Sequence, residues 1–299
     1  MFPPIRRVVI ILGKACNFNC VYCMREGNTV DVAPTISPKL LDYLHTLTPD
    51  ICESVVMTGG EPLLYLDKIK ELVLHIPTNV HKKIITNGSL LTDDIVNYVN
   101  EHNIEINLSH DGKLTEHLRG VNVLDDPKIC NLIKKINILA INATVTTCNS
   151  DVMEIYTYLR DKLDGRHFIL NISDLFITPT NAKLLEGFDY EIFKKSFREY
   201  FFSHFRPSRY YNKYLQQGQS LGINFLLNGD IVDMFTLHKY GTVFDSIDHI
   251  REKVTKFTDD TYCRKHPECP FNGAAHTNCF ASVSSNHYCT IRCIKEGWI

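Results

Sequence analysis

The sequence has no long apolar run, no strong charge of either sign, and no internal repeat or low-complexity segment. None of its 299 residues lies in an apolar run of transmembrane length, so we expect no membrane-spanning helix. The formal net charge is −2, which gives no electrostatic basis for binding nucleic acid or an anionic membrane. No secretory signal precedes the first strand-like run. These absences predict a cytoplasmic protein with no nucleic-acid or membrane partner.

Cysteine, in contrast, is plentiful, with 11 residues in a chain that is 44% hydrophobic and 22% charged. That balance is typical of a globular protein with a sizeable core. Many cysteines without a secretory signal favour metal binding in a reducing compartment over disulfide bonds. Three cysteines lie near the N-terminus and five lie in the C-terminal tail, so we expect metal at both ends of the chain.

The N-terminal cysteines, Cys16, Cys20 and Cys23, directly follow a strand-like apolar run. Iron–sulfur clusters are held by cysteine thiolates, and a [4Fe–4S] cube has four irons. Three protein ligands leave one iron open to a non-protein ligand. The alternatives are a zinc site or scattered buried cysteines. Zinc would require a fourth Cys or His nearby, but the nearest histidine along the chain is His45.

Strand-like and helix-like segments alternate along the first 172 residues. Short connections between such units predict an α/β fold, with a parallel sheet that right-handed crossovers curl into a partial or complete barrel. The polar motifs follow the strands, at the edge where parallel sheets place their sites. The strands are predicted at 7–12, 54–58, 83–86, 104–108, 143–146 and 168–172. Helices are predicted near 38–47, 66–75, 92–100, 128–136 and 151–162.

The region after the sixth strand is predicted to contain a helix and a hairpin. Residues 189–208 form an aromatic-rich helical stretch, which we expect to pack its apolar face on the barrel. Asn228-Gly229 lies between the strand-like segments 223–227 and 231–235 and predicts a type I′ turn. The predicted division is 1–185 for the barrel, 186–222 for a helical bridge and 223–299 for a cysteine-rich domain.

At the cysteine loop, with aromatic Tyr22 before the third cysteine, the chain resembles the radical S-adenosylmethionine (radical SAM) enzymes. The resemblance implies a partial (β/α)6 TIM-like barrel. It also implies that the open iron of the cluster chelates the amino and carboxylate groups of S-adenosylmethionine. Reductive cleavage of that cofactor then gives a 5′-deoxyadenosyl radical.

Two further motifs carry the same resemblance. Gly59-Gly60-Glu61-Pro62 closes the second strand, where glycines allow close approach of a ligand. The resemblance implies that this segment lies along the methionine amino group. The second motif reads S-x-D-G…H…R-G, and it implies that its serine and arginine bind the cofactor's carboxylate or ribose. Its residues are Ser109, Asp111, Gly112, His117, Arg119 and Gly120.

Some residues in and near these motifs have weaker assignments. His110 departs from the hydrophobic residue that relatives often have there. His117 is interpreted as a turn-capping or core histidine. Thr86, Asn87 and Thr146 end strands and are placed near the ribose hydroxyls. Core packing is the expectation for the three remaining cysteines, while Cys148 as a hydrogen-atom donor is a further hypothesis. These three are Cys52, Cys130 and Cys148.

The C-terminal tail is rich in Gly, Asn, Ser and His, and it could not stabilise itself by apolar burial alone. It resembles the SPASM and twitch extensions, which bind auxiliary clusters. A full SPASM domain has seven cysteines, the first near the position of Met234, so we expect one auxiliary [4Fe–4S] cluster held by four of the five. An unresolved five-cysteine arrangement and zinc, with His266, His276 or His287, remain alternatives. The five are Cys263, Cys269, Cys279, Cys289 and Cys293.

The resemblance predicts a radical SAM enzyme that modifies a ribosomally made precursor peptide, by crosslinking or epimerisation. The expected partners are that peptide or a small-molecule substrate, an electron donor such as flavodoxin or ferredoxin, and a separate leader-binding protein. Because few residues precede the first strand, we expect any leader to be recognised by the barrel, by the tail or by such a separate protein. Two alternatives are a twitch-type dehydrogenase of a small alcohol or sugar, and a non-catalytic iron–sulfur or zinc protein. A metal scaffold alone would not need the two further motifs.

Overall fold

The computed structural model describes most of the first 204 residues and a hairpin region after them. The tail cysteines and histidines, and Met234, lie outside the described residues, so their roles stay predictions. The described ranges are 5–23, 35–173, 181–204, 221–232, 239–243, 245–246, 249–250 and 253.

Six strands in chain order form a parallel sheet in which each strand pairs with the one that follows it. This confirms the predicted α/β fold with parallel strands, and the strand order is consistent with a partial barrel. The strands are β1 (Ile5–Ile11), β2 (Ser54–Thr58), β3 (His81–Thr86), β4 (Ile104–Ser109), β5 (Leu139–Thr144) and β6 (Ile169–Ser173).

Helices connect the strands, and three of them begin at side-chain caps that the sequence supplies. Thr92 accepts a hydrogen bond from the Ile95 N–H, and Asp126 and Asp151 cap later helices in the same way. The helices are α1 (Pro38–His45), α2 (Leu66–His75), α3 (Asp93–Glu101), α4 (Thr115–Arg119), α5 (Pro127–Lys134), α6 (Val152–Lys162) and α7 (Tyr190–His204).

The predicted bounds of the fifth strand, 143–146, are wrong because β5 ends at Thr144. Thr146 instead caps a short 3-10 turn, Thr147–Asn149, by accepting a hydrogen bond from the Cys148 N–H. Threonine is common in strands and also caps turns, so its β propensity alone does not show that Thr146 lies outside β5.

The hairpin extends the sheet beyond β1. Strand β7 (Leu221–Leu226) is parallel to β1, and β8 (Asp230–Val232) and β9 (Lys239–Thr242) follow it antiparallel. The predicted type I′ turn is wrong. Among described residues only Asn103 and Asp164 are non-glycines with positive φ, whereas type I′ needs Asn228 to adopt it. The loop 227–229 has three residues, with Gly229 at φ +86° and its N–H bonded to the Leu226 oxygen at 2.9 Å.

One face of the sheet packs against the helices. Ile106, Leu108 and Ile141 share a single apolar core with helix residues such as Ile133. Helix α7 joins this core through Phe193 and Tyr200, as predicted for the aromatic stretch. On the opposite face the register aligns Val9 of β1 and Val56 of β2 with Lys83 of β3 and Glu105 of β4. Asn107, Asn142 and Asn171 lie on the same face of β4, β5 and β6. No described helix has the length and apolar character needed to cross a membrane.

Candidate active site

The cluster loop, residues 13–23, follows β1 and carries three half-buried cysteines. Backbone contacts organise it locally. The Cys23 N–H donates to the Cys20 oxygen at 3.0 Å, and the Phe18 N–H lies 3.4 Å from the Cys16 Sγ. N–H groups that point at sulfur favour the thiolate form, which is the form that binds metal.

Without metal, two of these thiols are held in their protonated form. Burial raises the pKa of Cys16, although the hydrogen bond from the Phe18 N–H partly opposes this shift. Burial also raises the pKa of Cys20 to about 11, although the Arg119 charge opposes this shift. An iron–sulfur cluster needs thiolates, so loading the loop releases protons.

The glycines at the end of β2 allow the cluster loop to pack directly on their backbone. The Gly60 N–H donates to the Gly13 oxygen at 2.8 Å, and the Glu61 N–H donates to the Ala15 oxygen at 2.8 Å. A Cβ at Gly60 would lie 2.1 Å from the Ala15 oxygen, and one at Gly59 would lie 2.6 Å from the Gly13 oxygen. Because no side chain fits there, both positions require glycine.

The Glu61 carboxylate joins the ends of β2 and β3. It is 1% exposed and accepts hydrogen bonds from the Leu63 N–H at 3.0 Å, the Thr86 hydroxyl at 2.6 Å and the Asn87 N–H at 2.8 Å. Burial raises the pKa of Glu61, while these three donors lower it. The carboxylate thus joins β2 to β3, while the Glu61 N–H bonds the cluster loop.

Asn87 bonds the end of β3 to the cluster loop. Its Nδ2 donates to the Asn17 Oδ1 at 2.9 Å, and the Asn17 Nδ2 donates to the Ser89 hydroxyl at 2.8 Å. Sequence reasoning did not identify Asn17 or Ser89. The only available signal was that asparagine and serine follow a strand end, which turns show generally.

At the end of β4, Asp111 is fully buried and accepts four hydrogen bonds. The donors are the Tyr22 hydroxyl at 2.5 Å, the Arg119 Nε at 2.7 Å and Nη2 at 3.0 Å, and the Thr144 N–H at 2.8 Å. The Arg119 guanidinium also lies over the Tyr22 ring, 5.3 Å from its centroid. We call Tyr22, Asp111 and Arg119 the buried triad.

The buried triad brings three predicted site residues together, although in an arrangement the sequence did not predict. Burial alone would lower the pKa of Arg119, but the Asp111 charge keeps it above its usual range. Burial raises the pKa of Tyr22, so its phenol stays protonated and donates to Asp111. Arg119 is therefore paired with a protein carboxylate, and the Tyr22 contact places this pair beside Cys23.

Ser109 is half-buried, and its hydroxyl has no hydrogen-bond partner among the described residues. The hydroxyl of Thr146 differs, because it is fully buried and bonds the Asn149 Oδ1 at 2.7 Å. Of the predicted cofactor contacts, Ser109 thus retains an unused hydroxyl, whereas that of Thr146 is used within the protein.

The histidines and remaining cysteines differ partly from expectation. His117 is exposed on α4, so its interpretation as a core residue is wrong. His110 is fully buried, and its Nδ1 accepts from the Gly112 N–H at 3.1 Å. Core packing is confirmed for Cys52 and Cys130 but is wrong for Cys148, which is exposed.

The donor set of the cluster loop fits an iron–sulfur cluster better than a single ion. Among the described residues, no three Cys, His, Asp or Glu side chains could hold one metal ion. A cube binds its three cysteines at three separate irons, so they need not converge on one point.

Comparison with known proteins agrees with this site. Residues 10–147 match the Radical SAM superfamily. An uncharacterised protein of Methanocaldococcus jannaschii is 28% identical over 167 residues, which are 52% of this chain and 58% of that protein. The radical SAM cyclopropyl synthase TigE of Paramaledivibacter caminithermalis is 26% identical over 167 residues, 49% of this chain and 35% of TigE. The chain thus spans about a third to three fifths of these relatives.

Solved structures share the fold. The anSMEcpe structure with bound AdoMet has a TM-score of 0.62 at 20% identity, and the match covers 83% of this chain and 80% of that one. SuiB of Streptococcus suis, bound to S-adenosylmethionine, has a TM-score of 0.59 at 18% identity, covering 82% of this chain and 64% of SuiB. The family match spans the cluster loop, the glycine motif and the buried triad. Residues 10–147 of this chain therefore form a radical SAM domain.

Proposed function

We propose that this protein is a radical SAM enzyme that modifies a ribosomally made peptide. The observation that carries the proposal is the cluster loop, which is bonded to the ends of three successive parallel strands through Glu61, Asn87 and Asp111. These contacts hold the loop in shape while its three cysteines stay partly accessible. A loop held in this way suits a cluster that must bind and release a second ligand.

Cys16, Cys20 and Cys23 would hold a [4Fe–4S] cluster, and S-adenosylmethionine would complete it. Together they would supply a 5′-deoxyadenosyl radical able to take a hydrogen atom from an unactivated carbon. The protein provides binding, orientation and exclusion of side reactions. Gly59 and Gly60 let the cluster loop pack directly on the end of β2, and Ser109 offers a hydroxyl donor.

Peptide modification is supported by the proteins that resemble this chain. TigE is named as a cyclopropyl synthase, anSMEcpe has a structure with the Cp18Cys peptide, and SuiB has one with its precursor peptide SuiA. On this proposal the product is a crosslinked or epimerised peptide. A flavodoxin or ferredoxin supplies electrons, and the reaction is cytoplasmic. Dehydrogenation of a small alcohol or sugar is the second candidate.

The central test replaces Cys16, Cys20 and Cys23 together with Ala. After anaerobic reconstitution, the variant should lose about four irons, the content of one cube. It should form no 5′-deoxyadenosine from S-adenosylmethionine and dithionite. Cys148→Ala is the matched control, because this exposed cysteine should leave iron content and cofactor cleavage unchanged. Undiminished cleavage in the triple variant would refute the proposal.

The auxiliary cluster is tested by counting metal. One cube held by four of the five tail cysteines would bring the reconstituted protein to about eight irons, whereas zinc there would give about four irons and one zinc. Four of the five single Cys→Ala changes should destabilise the tail. Cys263→Ala should have little effect on iron content, since the other four lie nearer the chain end. Fully active protein with about four irons and no zinc would exclude the auxiliary site.

A further inference from the structure

Three asparagines form a hydrogen-bonded row on the sheet face opposite the helices. We call Asn107, Asn142 and Asn171 the amide row; they lie on β4, β5 and β6. The Asn171 Nδ2 donates to the Asn142 Oδ1 at 2.9 Å and to the Asn107 Oδ1 at 3.2 Å. In the sheet register Asn142 pairs with both Ser109 and Asn171, so Asn142 lies beside the unpaired Ser109 hydroxyl.

The orientation of the first amide in the row is fixed by Glu105. The Asn107 Nδ2 donates to the Glu105 Oε1 at 2.7 Å, and His81 and Lys83 bond the same carboxylate at 2.8 Å and 3.2 Å. Burial would raise the pKa of Glu105, but His81, Lys83 and Asn107 bring it to about 2. An ionised carboxylate only accepts hydrogen bonds, so Asn107 must turn its NH₂ group towards it.

This orientation passes along the row. Because its NH₂ group donates to Glu105, Asn107 directs its oxygen towards Asn171. Asn171 must therefore donate its own NH₂ group to that oxygen. The same NH₂ group also donates to Asn142, so the Asn142 oxygen must point towards Asn171. The distances above agree with this order at every step. One buried charge thus determines the direction of three amide groups.

Two polar groups at the open end of the row are left over. Asn171 has used its NH₂ group and retains an oxygen acceptor, while Asn142 has used its oxygen and retains an NH₂ donor. Neither group has a hydrogen-bond partner in the described part of the chain. Asn171 is exposed and Asn142 half-buried, whereas Asn107 is 4% exposed. An oriented donor and acceptor therefore sit on adjacent strands where a ligand can reach them.

We propose that the amide row binds one residue of an extended peptide substrate, with Asn142 donating to its C=O and Asn171 accepting from its N–H. This inference rests on the proposed function and gives its substrate a contact site. The N–H and C=O of one residue in an extended strand point to the same side, so they match a neighbouring donor and acceptor. A primary carboxamide shares this chemistry and is the rival source.

The location of the row suits substrate binding. Thr144 lies two positions beyond Asn142 on β5, and its N–H donates to Asp111 of the buried triad at 2.8 Å. Through that triad the row is linked to Tyr22 of the cluster loop. A peptide on Asn142 and Asn171 therefore lies at the same edge of the sheet as the cluster loop.

The test uses three probes with reconstituted protein and S-adenosylmethionine, with binding followed by saturation-transfer NMR. The first probe is N-acetyl-alanine N′-methylamide, the second is its ester analogue without the alanine N–H, and the third is acetamide. We expect the first to bind and the ester to bind about tenfold more weakly, since one hydrogen bond of about 1.4 kcal/mol is a factor of ten. Equal binding of amide and ester, or binding of acetamide alone, would overturn the peptide assignment.

Variants connect the binding to the row. Asn142→Asp keeps the oxygen that Asn171 needs but removes the free donor, so affinity for the first probe should fall about tenfold. Asn97→Asp adds the same charge on the exposed face of α3 and should leave affinity unchanged. Glu105→Gln lets Asn107 adopt either orientation, and half occupancy of the competent one should lower affinity about twofold. Wild-type affinity in Asn142→Asp would refute the inference.

The same samples separate this inference from the proposed function. Formation of 5′-deoxyadenosine without substrate should be equal in wild type and Asn97→Asp, because that change lies on the exposed face of α3. If neither protein cleaves S-adenosylmethionine, the proposed function fails. If both cleave it but the first probe does not bind, only the amide row assignment fails.

Discussion

Replacing Arg119 with alanine tests what the buried triad does. The guanidinium supplies two of the four hydrogen bonds to Asp111, at 2.7 Å and 3.0 Å, and it is the only cation paired with this carboxylate among the described residues. Arg119→Ala leaves a fully buried carboxylate with only the Tyr22 hydroxyl and the Thr144 N–H. We therefore expect the protein to lose stability and the cluster loop to lose iron.

The size of the effect follows from the burial of the pair. Removing one partner of a buried ion pair costs about 3–5 kcal/mol, because the remaining charge is left without compensation. A protein of this kind has a free energy of unfolding of about 5–15 kcal/mol, so this loss is a large fraction of it. At about 2–4 °C per kcal/mol, the melting temperature should fall by roughly 10 °C.

The assay is thermal unfolding of the metal-free protein, followed by iron analysis after reconstitution. Arg160→Ala is the matched control, because Arg160 pairs with Asp161 at 3.7 Å on the surface, with both side chains at least half exposed. Such a pair contributes about 0–1 kcal/mol, so little change is expected. Asp111→Asn combined with Arg119→Met should recover part of the lost stability, since no buried charge remains. An Arg119→Ala protein with wild-type stability and iron content but weak S-adenosylmethionine binding would refute this reasoning.

Two further changes probe the same region. Gly60→Ala should sharply reduce iron content on reconstitution, because the new Cβ would lie 2.1 Å from the Ala15 oxygen, and normal iron in this variant would contradict the packing argument. Burial lowers the pKa of His110 to about 4 from 6.5, so its contribution to stability is present above about pH 6.5 and is lost as pH falls towards 4. Urea unfolding should show about 2 kcal/mol of this loss by pH 5, and His110→Gln should remove that part of the pH dependence; an unchanged pH profile would exclude it.

The order of strands and helices could be predicted because it depends on local patterns. Apolar runs such as 54–58 and caps such as Thr92 can be recognised from neighbouring residues alone, and both lie where predicted. Errors arose where one residue type serves two purposes. Thr146 was assigned to a strand but caps a 3-10 turn, and Asn228-Gly229 was assigned to a two-residue turn but belongs to a three-residue loop. In both cases the residue pattern does not show the hydrogen bond that determines the local structure. These bonds run from the Cys148 N–H to the Thr146 hydroxyl and from the Gly229 N–H to the Leu226 oxygen.

The sequence predicted residues at this edge of the sheet but not the contacts they make with one another. Tyr22 and Asp111 are 89 positions apart, so nothing in the chain order shows that the phenol donates to this carboxylate. The motif resemblance assigned Arg119 to the cofactor, because a resemblance carries roles but not the contacts of this chain. The structure adds that Arg119 compensates a buried charge, which is a role that its sequence position alone could not distinguish.

The glycine motif shows that glycine can be required for a reason other than the predicted one. Glycine at 59 and 60 was expected because a ligand needs close approach, but the nearest atoms to an added Cβ are the oxygens of Gly13 and Ala15. The cluster loop itself therefore excludes a side chain there, before any cofactor binds. Since Glu61, Asn87 and Asp111 hold that loop from β2, β3 and β4, its shape depends on the register of all three strands. Cluster loading is thus expected to be more sensitive than overall folding to a shift in any one of them.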